Sequence, residues 1–113
     1  MAPRELRLRV YADDAIAMGP GKADLLEAID RIGSISGAGR ELGISYKRCW
    51  DLVETMNANF REPLVATTAG GSRGGGTVLT DCGREVLAQF RRMEERARES
   101  VTDEMTRFRA FLR

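Results

Sequence analysis

The sequence predicts a single domain that is mainly helical, with a small amount of β-structure. Apolar residues recur every three or four positions over residues 22–32, 46–60 and 81–112, which is the spacing of one face of a helix. Two other regions, residues 1–18 and 63–80, contain short β-prone segments bounded by turn residues. A chain of 113 residues has room for one modest core, so we expect one domain.

The first 18 residues predict two short strands. Apolar and charged side chains alternate over about Leu6–Tyr11, the pattern of a strand with one buried face. Asp13 and Asp14 turn the chain, and Ala15–Met18 predicts a second short strand. The run Gly19-Pro20-Gly21 then interrupts regular structure, and the first helix is expected from about Lys22 to Ile32.

Residues 34–60 predict two helices joined by a tight turn. Ser34 can cap the first of them, Gly43 can make the turn, and Ser45 can cap the second, which spans about Tyr46–Phe60. Glycines at 37 and 39 weaken the shorter helix by about 1 kcal/mol each relative to alanine. Close packing against its neighbour must therefore hold it, and small residues permit such packing.

A hairpin and a long helix complete the chain. Strands over about 63–68 and 77–80 flank the glycine-rich run 70–76, whose charged residue is Arg73. From Asp81 to about Leu112 the pattern predicts one helix of about 45 Å, longer than a domain of this size. Its apolar seam is therefore expected to pair with a second copy of the chain. The seam comprises Val86, Phe90, Met93, Ala97, Val101, Met105, Phe108 and Leu112.

Helix, turn and helix followed by a hairpin is the order of a winged helix-turn-helix, whose second helix enters the major groove of DNA by its N-terminal residues. Arginine and lysine there can reach guanine, and tyrosine can contact a phosphate or a thymine methyl group. A solvated helix end is the alternative, but the turn glycine and the hairpin favour DNA. The candidate DNA-binding residues are Ser45, Tyr46, Lys47, Arg48, Arg40 and Arg73.

Composition argues against several other functions. The absence of histidine removes imidazole catalysis, the two cysteines lack a CxxC spacing, and the glycine-rich run lacks the GK[ST] ending of a phosphate-binding loop. An enzyme is therefore not expected. Without a long apolar run or a signal peptide, a cytoplasmic protein that does not enter the membrane is expected. The net charge of +1 means that DNA affinity must come from a local arrangement of charge.

The chain also resembles the N-terminal domain of ModE-type molybdate-responsive transcriptional regulators. The resemblance lies in the run from Gly33 to Asn57, in Glu62–Val65, in the glycine-rich wing and in Leu79–Gly83. The N-terminal domain of LysR-type regulators is more distantly similar. The resemblance implies a winged helix-turn-helix that dimerises through its long helices and binds a promoter palindrome.

The same resemblance defines what is not expected of these residues. Full regulators of this type continue into a separate molybdate-binding domain, whereas this chain stops at Arg113. We therefore expect no cofactor, and no molybdate sensing, in the chain itself. The partners expected are double-stranded DNA and a second copy of the chain. The alternative function is a winged-helix module for protein interaction or assembly, without specific DNA binding.

Overall fold

The computed structural model describes residues 6–68 and 76–113, and it confirms the predicted mainly helical class with small β-hairpins. The tip of the second hairpin, with Arg73, lies outside the described residues. The elements are β1 (Val10–Ala12), β2 (Ala15–Met18), α1 (Pro20–Ile32), α2 (Ile35–Leu42), α3 (Tyr46–Asn59), β3 (Val65–Thr67), β4 (Thr77–Leu79), α4 (Asp81–Ser100) and α5 (Thr102–Arg109).

The N-terminal hairpin is shorter than the alternation predicts. Strand β1 pairs antiparallel with β2, joining Ala12 to Ala15 at the turn and Val10 to Met18 at the open end. The strand expected from Leu6 starts only at Val10, because β2 ends at Met18 and Pro20 already begins α1. Proline suits the first position of a helix, since its missing N–H would have no partner there. The described residues 6–9 therefore have no opposing strand.

Helix α1 is the centre of the core. Leu25, Leu26 and Ile29 are fully buried, and they pack with Met56 of α3 and Leu79 of β4 in one apolar cluster. The helix ends as predicted at a glycine with φ of 81°. The left-handed conformation at that position favours glycine, and its N–H donates to the carbonyl of Ile29 at 2.8 Å.

Helices α2 and α3 form the predicted helix-turn-helix. Ser34 caps α2 by accepting from the N–H of Gly37 at 2.9 Å, and Gly43 makes the turn with φ of 72°. A Cβ on Gly39 would lie 2.9 Å from Sγ of Cys49 in α3 and 2.9 Å from the carbonyl oxygen of Ile44. Such distances are too short for any side chain, so the glycine allows α2 to pack closely against α3.

Strands β3 and β4 form the antiparallel wing after α3. Their register pairs Val65 with Leu79 and Thr67 with Thr77. The wing is tied to the rest of the domain through backbone groups, because the N–H of Thr77 donates to the carbonyl of Gly33 at 3.0 Å. Thr80 then caps α4 by accepting from the N–H of Gly83 at 2.9 Å.

The helix predicted to run unbroken from 81 to 112 is interrupted at Val101, where φ is −119° and ψ is 21°. Hydroxyl groups on either side of it bond to carbonyls of the preceding turn. The hydroxyl of Ser100 donates to the carbonyl of Ala97 at 2.8 Å, and that of Thr102 donates to the carbonyl of Glu99 at 3.0 Å. These local bonds compete with the backbone pattern of a helix. Helix α5 is therefore a separate element.

The guanidinium of Arg91 in α4 forms ion pairs with two carboxylates of α1. Arg91 donates to Asp24 at 2.7 Å, to Glu27 at 2.5 Å and to Glu94 at 2.9 Å. The carboxylate of Glu94 is almost fully buried, at 2% exposure, and needs this partner. Burial opposes the charge of Arg91, but the three hydrogen bonds outweigh it and raise the pKa of the guanidinium.

The C-terminal helices extend the molecule. Its dimensions are 57 × 29 × 22 Å, and its radius of gyration is 16.1 Å, against about 13 Å for a compact chain of this length. Helix α5 has no buried residue. Within residues 6–68 and 76–113, no helix has the length and hydrophobicity to cross a membrane.

Candidate nucleic-acid interface

The first turn of α3 presents its polar side chains to solvent. Ser45 lies just before the helix, and its hydroxyl oxygen accepts from the N–H of Arg48 at 3.1 Å. The side chains of Tyr46, Lys47 and Arg48 follow, and all three residues are exposed. Cys49, Val53 and Met56 form the opposite, buried face of the same helix. The residues predicted to begin a recognition helix are therefore brought together at a capped, accessible helix start.

The ring of Tyr46 is held by a neighbouring aromatic side chain. It contacts Trp50 edge to face, with ring centroids 6.2 Å apart and planes at 76°. Trp50 itself packs against the core. Tyr46 remains 59% exposed, so its hydroxyl group is presented to solvent on a ring of restricted orientation.

Lys47 and Asp51 form an ion pair on the outer face of α3, with Nζ and Oδ2 3.3 Å apart. Both side chains are at least half exposed, so such a pair contributes only about 0.3–0.5 kcal/mol. Lys47 can therefore leave Asp51 for another anion at little cost. Asp51 places a negative charge on the same face, which the lysine offsets in the free protein.

Arg48 lies beside the N-terminal hairpin and the start of α1. Its positive charge acts on Lys22, whose ammonium group donates to the carbonyl of Ile16. Partial burial, and then the charge of Arg48, lower the pKa of Lys22. Two cations from different helices are therefore close enough to repel each other.

A groove of about 820 Å³ runs from the N-terminal hairpin to the first turn of α3, and we call it the hairpin groove. Its charged lining consists of Arg7, Arg9, Lys22, Asp24 and Arg48. The sequence pattern did not reveal it, because Arg7 and Arg9 are explained equally well as the solvent face of a strand. Alternation predicts which side chains point outward, but it does not predict which distant cations they meet.

The two remaining candidates lie elsewhere. Arg40 is exposed in the last turn of α2, where its carbonyl accepts from the N–H of Gly43, and it does not line the hairpin groove. Arg73 lies outside the described residues, so its placement stays a prediction. In the part of the wing that the structure describes, the last contact between its two sides joins Thr68 to Gly76, where the N–H of Thr68 donates to the carbonyl of Gly76 at 2.8 Å.

The seam predicted for dimerisation divides into two parts. Phe90 is only 2% exposed and belongs to the core of its own chain, so its assignment to a chain–chain contact is wrong. Val86 is half-buried and packs against the same core. The 3.6-residue period could not separate the two uses, because α4 has one apolar stripe whose first half packs on its own domain.

The later seam residues stay accessible. Met93, Phe108 and Leu112 are 45%, 61% and 60% exposed, while Ala97, Val101 and Met105 are half-buried. Leu6 lies against the end of this stretch, where it lines an apolar hollow with Val101, Met105, Phe108 and Leu112. We call these five residues the C-terminal apolar patch. Phe111, 85% exposed, was not predicted to belong to the seam.

A helix-turn-helix whose second helix is capped and begins with basic residues, with a hairpin directly after it, defines a winged helix-turn-helix domain. No family model matches the chain. It is 46% identical over 88 residues to the molybdenum transport protein ModE of Azotobacter vinelandii, covering 78% of this chain and 33% of that protein. It is 34% identical over 107 residues to the transcriptional regulator ModE of Haemophilus influenzae, covering 92% of this chain and 42% of that protein.

The similarity extends to a differently named relative. The chain is 47% identical over 77 residues to the molybdenum-pterin-binding protein MopB of Rhodobacter capsulatus, covering 68% of this chain and 28% of that protein. Over the region that it shares with these relatives, the chain is a ModE-type protein. It spans about a third of the length of the curated relatives that it matches.

Proposed function

We propose that this chain is the DNA-binding part of a homodimeric transcriptional regulator that recognises a specific palindromic operator. The observation that carries the proposal is the start of α3, where Ser45 caps the helix and exposes Tyr46, Lys47 and Arg48 directly after a tight turn. This is the end of a helix-turn-helix that reads base edges. The names of similar proteins, among them a DNA-binding transcriptional dual regulator ModE of Escherichia coli, support the same function.

The candidate side chains have different roles in the complex. Lys47 and Arg48 donate hydrogen bonds to guanine O6 and N7 in the major groove. Tyr46, held by Trp50, contacts a phosphate or a thymine methyl group. Arg40, at the exposed end of α2, contacts the phosphate backbone. Arg73 reaches the backbone or the minor groove from the wing.

The second half of the proposal is the dimer, which the C-terminal apolar patch supports. Phe108 near the end of α5, with Phe111 and Leu112 just after it, exposes large apolar side chains that leave water only against a partner surface. A second copy supplies an identical patch, and two-fold symmetry then sets two recognition helices about 34 Å apart, one turn of DNA. The operator is accordingly expected to be a palindrome with half-sites separated by one helical turn.

The names of the relatives also support a link to molybdenum. We extend the proposal to genes of molybdenum uptake or use, with the signal sensed outside the residues described above. Selection of binding sites from random DNA, with and without molybdate, tests the proposal. A palindromic consensus that is unchanged by molybdate is the expected result. Failure to enrich any sequence would contradict specific recognition, and a molybdate effect would show that these residues respond to the anion.

The role of Arg48 is tested by Arg48→Ala, measured on the selected operator and on sites mutated one base at a time. We expect a loss of about 1–3 kcal/mol of binding free energy and relaxed preference at one base pair. Arg92→Ala removes an equal charge from an exposed position of α4 and is the matched control. Unchanged operator affinity in Arg48→Ala would remove Arg48 from the readout.

The alternative is a module that binds another protein. The balanced charge of the chain, 18 basic against 17 acidic residues, favours this function over a nonspecific DNA-binding domain. Salt dependence separates the two. A regulator loses affinity steeply with salt, since each phosphate contact releases counterions, whereas an interaction module binds little DNA at moderate salt.

A further inference from the structure

The hairpin groove brings together cations that are distant in sequence. Arg7 and Arg9 come from the segment that leads into β1, Lys22 from the first turn of α1, and Arg48 from the first turn of α3. The stem of Arg9 lies against the turn before α1, because a Cβ on Gly19 would be 3.4 Å from its Cγ. Residues 8 and 9, directly before β1, therefore pack against the turn that leads into α1.

The charges of the groove are not balanced within it. Four of its lining residues are basic, and the acidic one, Asp24, already accepts from Arg91 at 2.7 Å. Among the residues that the structure describes, no carboxylate forms an ion pair with Arg7, Arg9 or Arg48. A chain with a net charge of only +1 thus concentrates four cations in one concave surface. Such a surface attracts an anion.

The position of the groove identifies the anion. Arg48 belongs both to the groove and to the first turn of α3, so the groove opens beside the end of the helix assigned to the major groove. The walls of the major groove are the two phosphate backbones. A cationic surface alongside that helix end would face one of them when the helix is inserted.

We infer that the hairpin groove is a seat for the DNA backbone, in which Arg7, Arg9 and Lys22 bind consecutive phosphodiester groups flanking each half-site. This inference rests on the proposed DNA-binding function. It adds phosphate contacts from Arg7, Arg9 and Lys22, three residues that lie outside both α3 and the wing. Arginine forks suit the two free oxygens of a phosphodiester, and Lys22, whose pKa is lowered by burial and by Arg48, gains a counter-ion there. The seat carries no sequence information and sets the angle at which α3 enters the groove.

The test measures the salt dependence of affinity for Arg7→Ala/Arg9→Ala on the operator and on unrelated DNA of the same length. Each lost phosphate contact reduces the slope of log affinity against log salt by about 0.9, so the double variant should lose about two units of slope. At 0.1 M salt this corresponds to roughly fivefold to tenfold weaker binding per contact. The loss should be equal on both DNAs, because phosphates are common to them.

Two further variants sharpen the comparison. Arg92→Ala/Arg96→Ala removes the same charge from exposed positions of α4 outside the groove and should keep the wild-type slope. Arg7→Lys/Arg9→Lys keeps the charge and should restore most of the slope. Neutral methylphosphonate groups placed one at a time in the operator should weaken the wild type at the contacted phosphates and leave Arg7→Ala/Arg9→Ala unaffected there.

The outcomes are separable from those of the proposed function. If the wild type binds the operator and the double alanine variant keeps its slope and affinity, the phosphate seat is wrong while the regulator stands. A loss confined to the operator would also overturn the seat, because it would indicate reading of bases. If the wild type binds no DNA at moderate salt, the proposed function and the seat fail together.

Discussion

The side-chain amide of Asn57 brackets the backbone of Val65. Its Nδ2 donates to the carbonyl of Val65 at 3.1 Å, and its Oδ1 accepts from the N–H of Val65 at 3.2 Å and from that of Leu64 at 2.9 Å. Asn57 lies near the end of α3 and Val65 begins the wing, so one side chain sets the wing relative to α3. Because Leu64 and Val65 are buried, water cannot replace these bonds freely.

Replacement of this asparagine should therefore loosen the wing. We expect Asn57→Ala to lower the free energy of unfolding by about 1–3 kcal/mol, since it leaves buried backbone groups unpaired. Urea denaturation measures the change. Glu54→Ala, at an exposed position of the same helix, is the control and should change stability by less than about 0.5 kcal/mol. Equal effects of the two substitutions would show that the bracket contributes nothing specific.

A second prediction concerns the entry into α4. Gly83 lies directly against the carbonyl of Leu64, and a Cβ there would overlap the carbonyl oxygen. Gly83→Ala should therefore destabilise the domain by about 1–3 kcal/mol, because the backbone must move. Gly21→Ala is the matched control, since a Cβ on Gly21 meets nothing within 4 Å, and it should stabilise α1 by up to about 1 kcal/mol. Thermal unfolding distinguishes the two, and a neutral Gly83→Ala would contradict the packing.

A third prediction concerns the guanidinium that joins α4 to α1. Arg91→Met leaves Glu94 buried without its cation, and this is strongly destabilising at fully buried sites. Arg91 is 21% exposed, so solvent screens part of the effect, and we expect about 1–3 kcal/mol. Arg92→Met, one position along the helix and exposed, should be close to neutral. Equal stability of both variants in chemical denaturation would show that the three-carboxylate cluster does not fasten α4.

A fourth prediction concerns how the free energy of unfolding depends on pH through the thiol of Cys49. This side chain is fully buried, and burial raises the pKa of its thiol. The folded state therefore holds the proton more tightly than the unfolded state, whose thiol titrates at about 8.5. The stability that the protonated thiol contributes is complete below about pH 8.5. It is lost as the pH rises through the higher pKa of the thiol in the folded state. Cys49→Ala should lack this alkaline decline, which denaturation at pH 7 and pH 10 measures. An identical decline in the alanine variant would assign it to other groups.

A further prediction concerns the dimer. Phe108 is 61% exposed in the single chain, so Phe108→Ser should remove apolar surface from the C-terminal apolar patch without disturbing the core. Sedimentation velocity should show a weaker dimer, while the circular dichroism of the winged helix is retained. Arg107→Ser, adjacent and exposed, is the control. A wild type that is monomeric at high concentration would contradict the dimer.

Much of the fold could be predicted from residues that act on their immediate neighbours in the sequence. Serine caps at 34 and 45 and left-handed glycines at 33 and 43 act through their immediate neighbours, so a short window of sequence contains all the information that places them. The same short stretches of sequence also predicted the turn between α2 and α3. For this reason the caps and turn that bound α2 and begin α3 were predicted close to where they lie.

Features that join distant segments were not predictable in this way. The bracket from Asn57 to Val65 and the meeting of Arg9 with Lys22 and Arg48 depend on how the elements pack. Phe90 satisfies both a core and a seam pattern, and only packing decides between them. The break at Val101 is not visible in a period of 3.6, because apolar side chains continue at that spacing across it.

The interruption at Val101 has a consequence for the time that α5 spends folded. A helix of eight residues with no buried side chain is marginal in water when it stands alone. Because the break separates it from α4, α5 cannot rely on that helix to continue its hydrogen-bonded ladder. Amide protons of α5 should therefore exchange rapidly in dilute solution and slowly at high protein concentration, while those of α1 exchange at one rate throughout. In the proposed dimer the folding of this segment is coupled to association, and its amide exchange would report how many chains are paired.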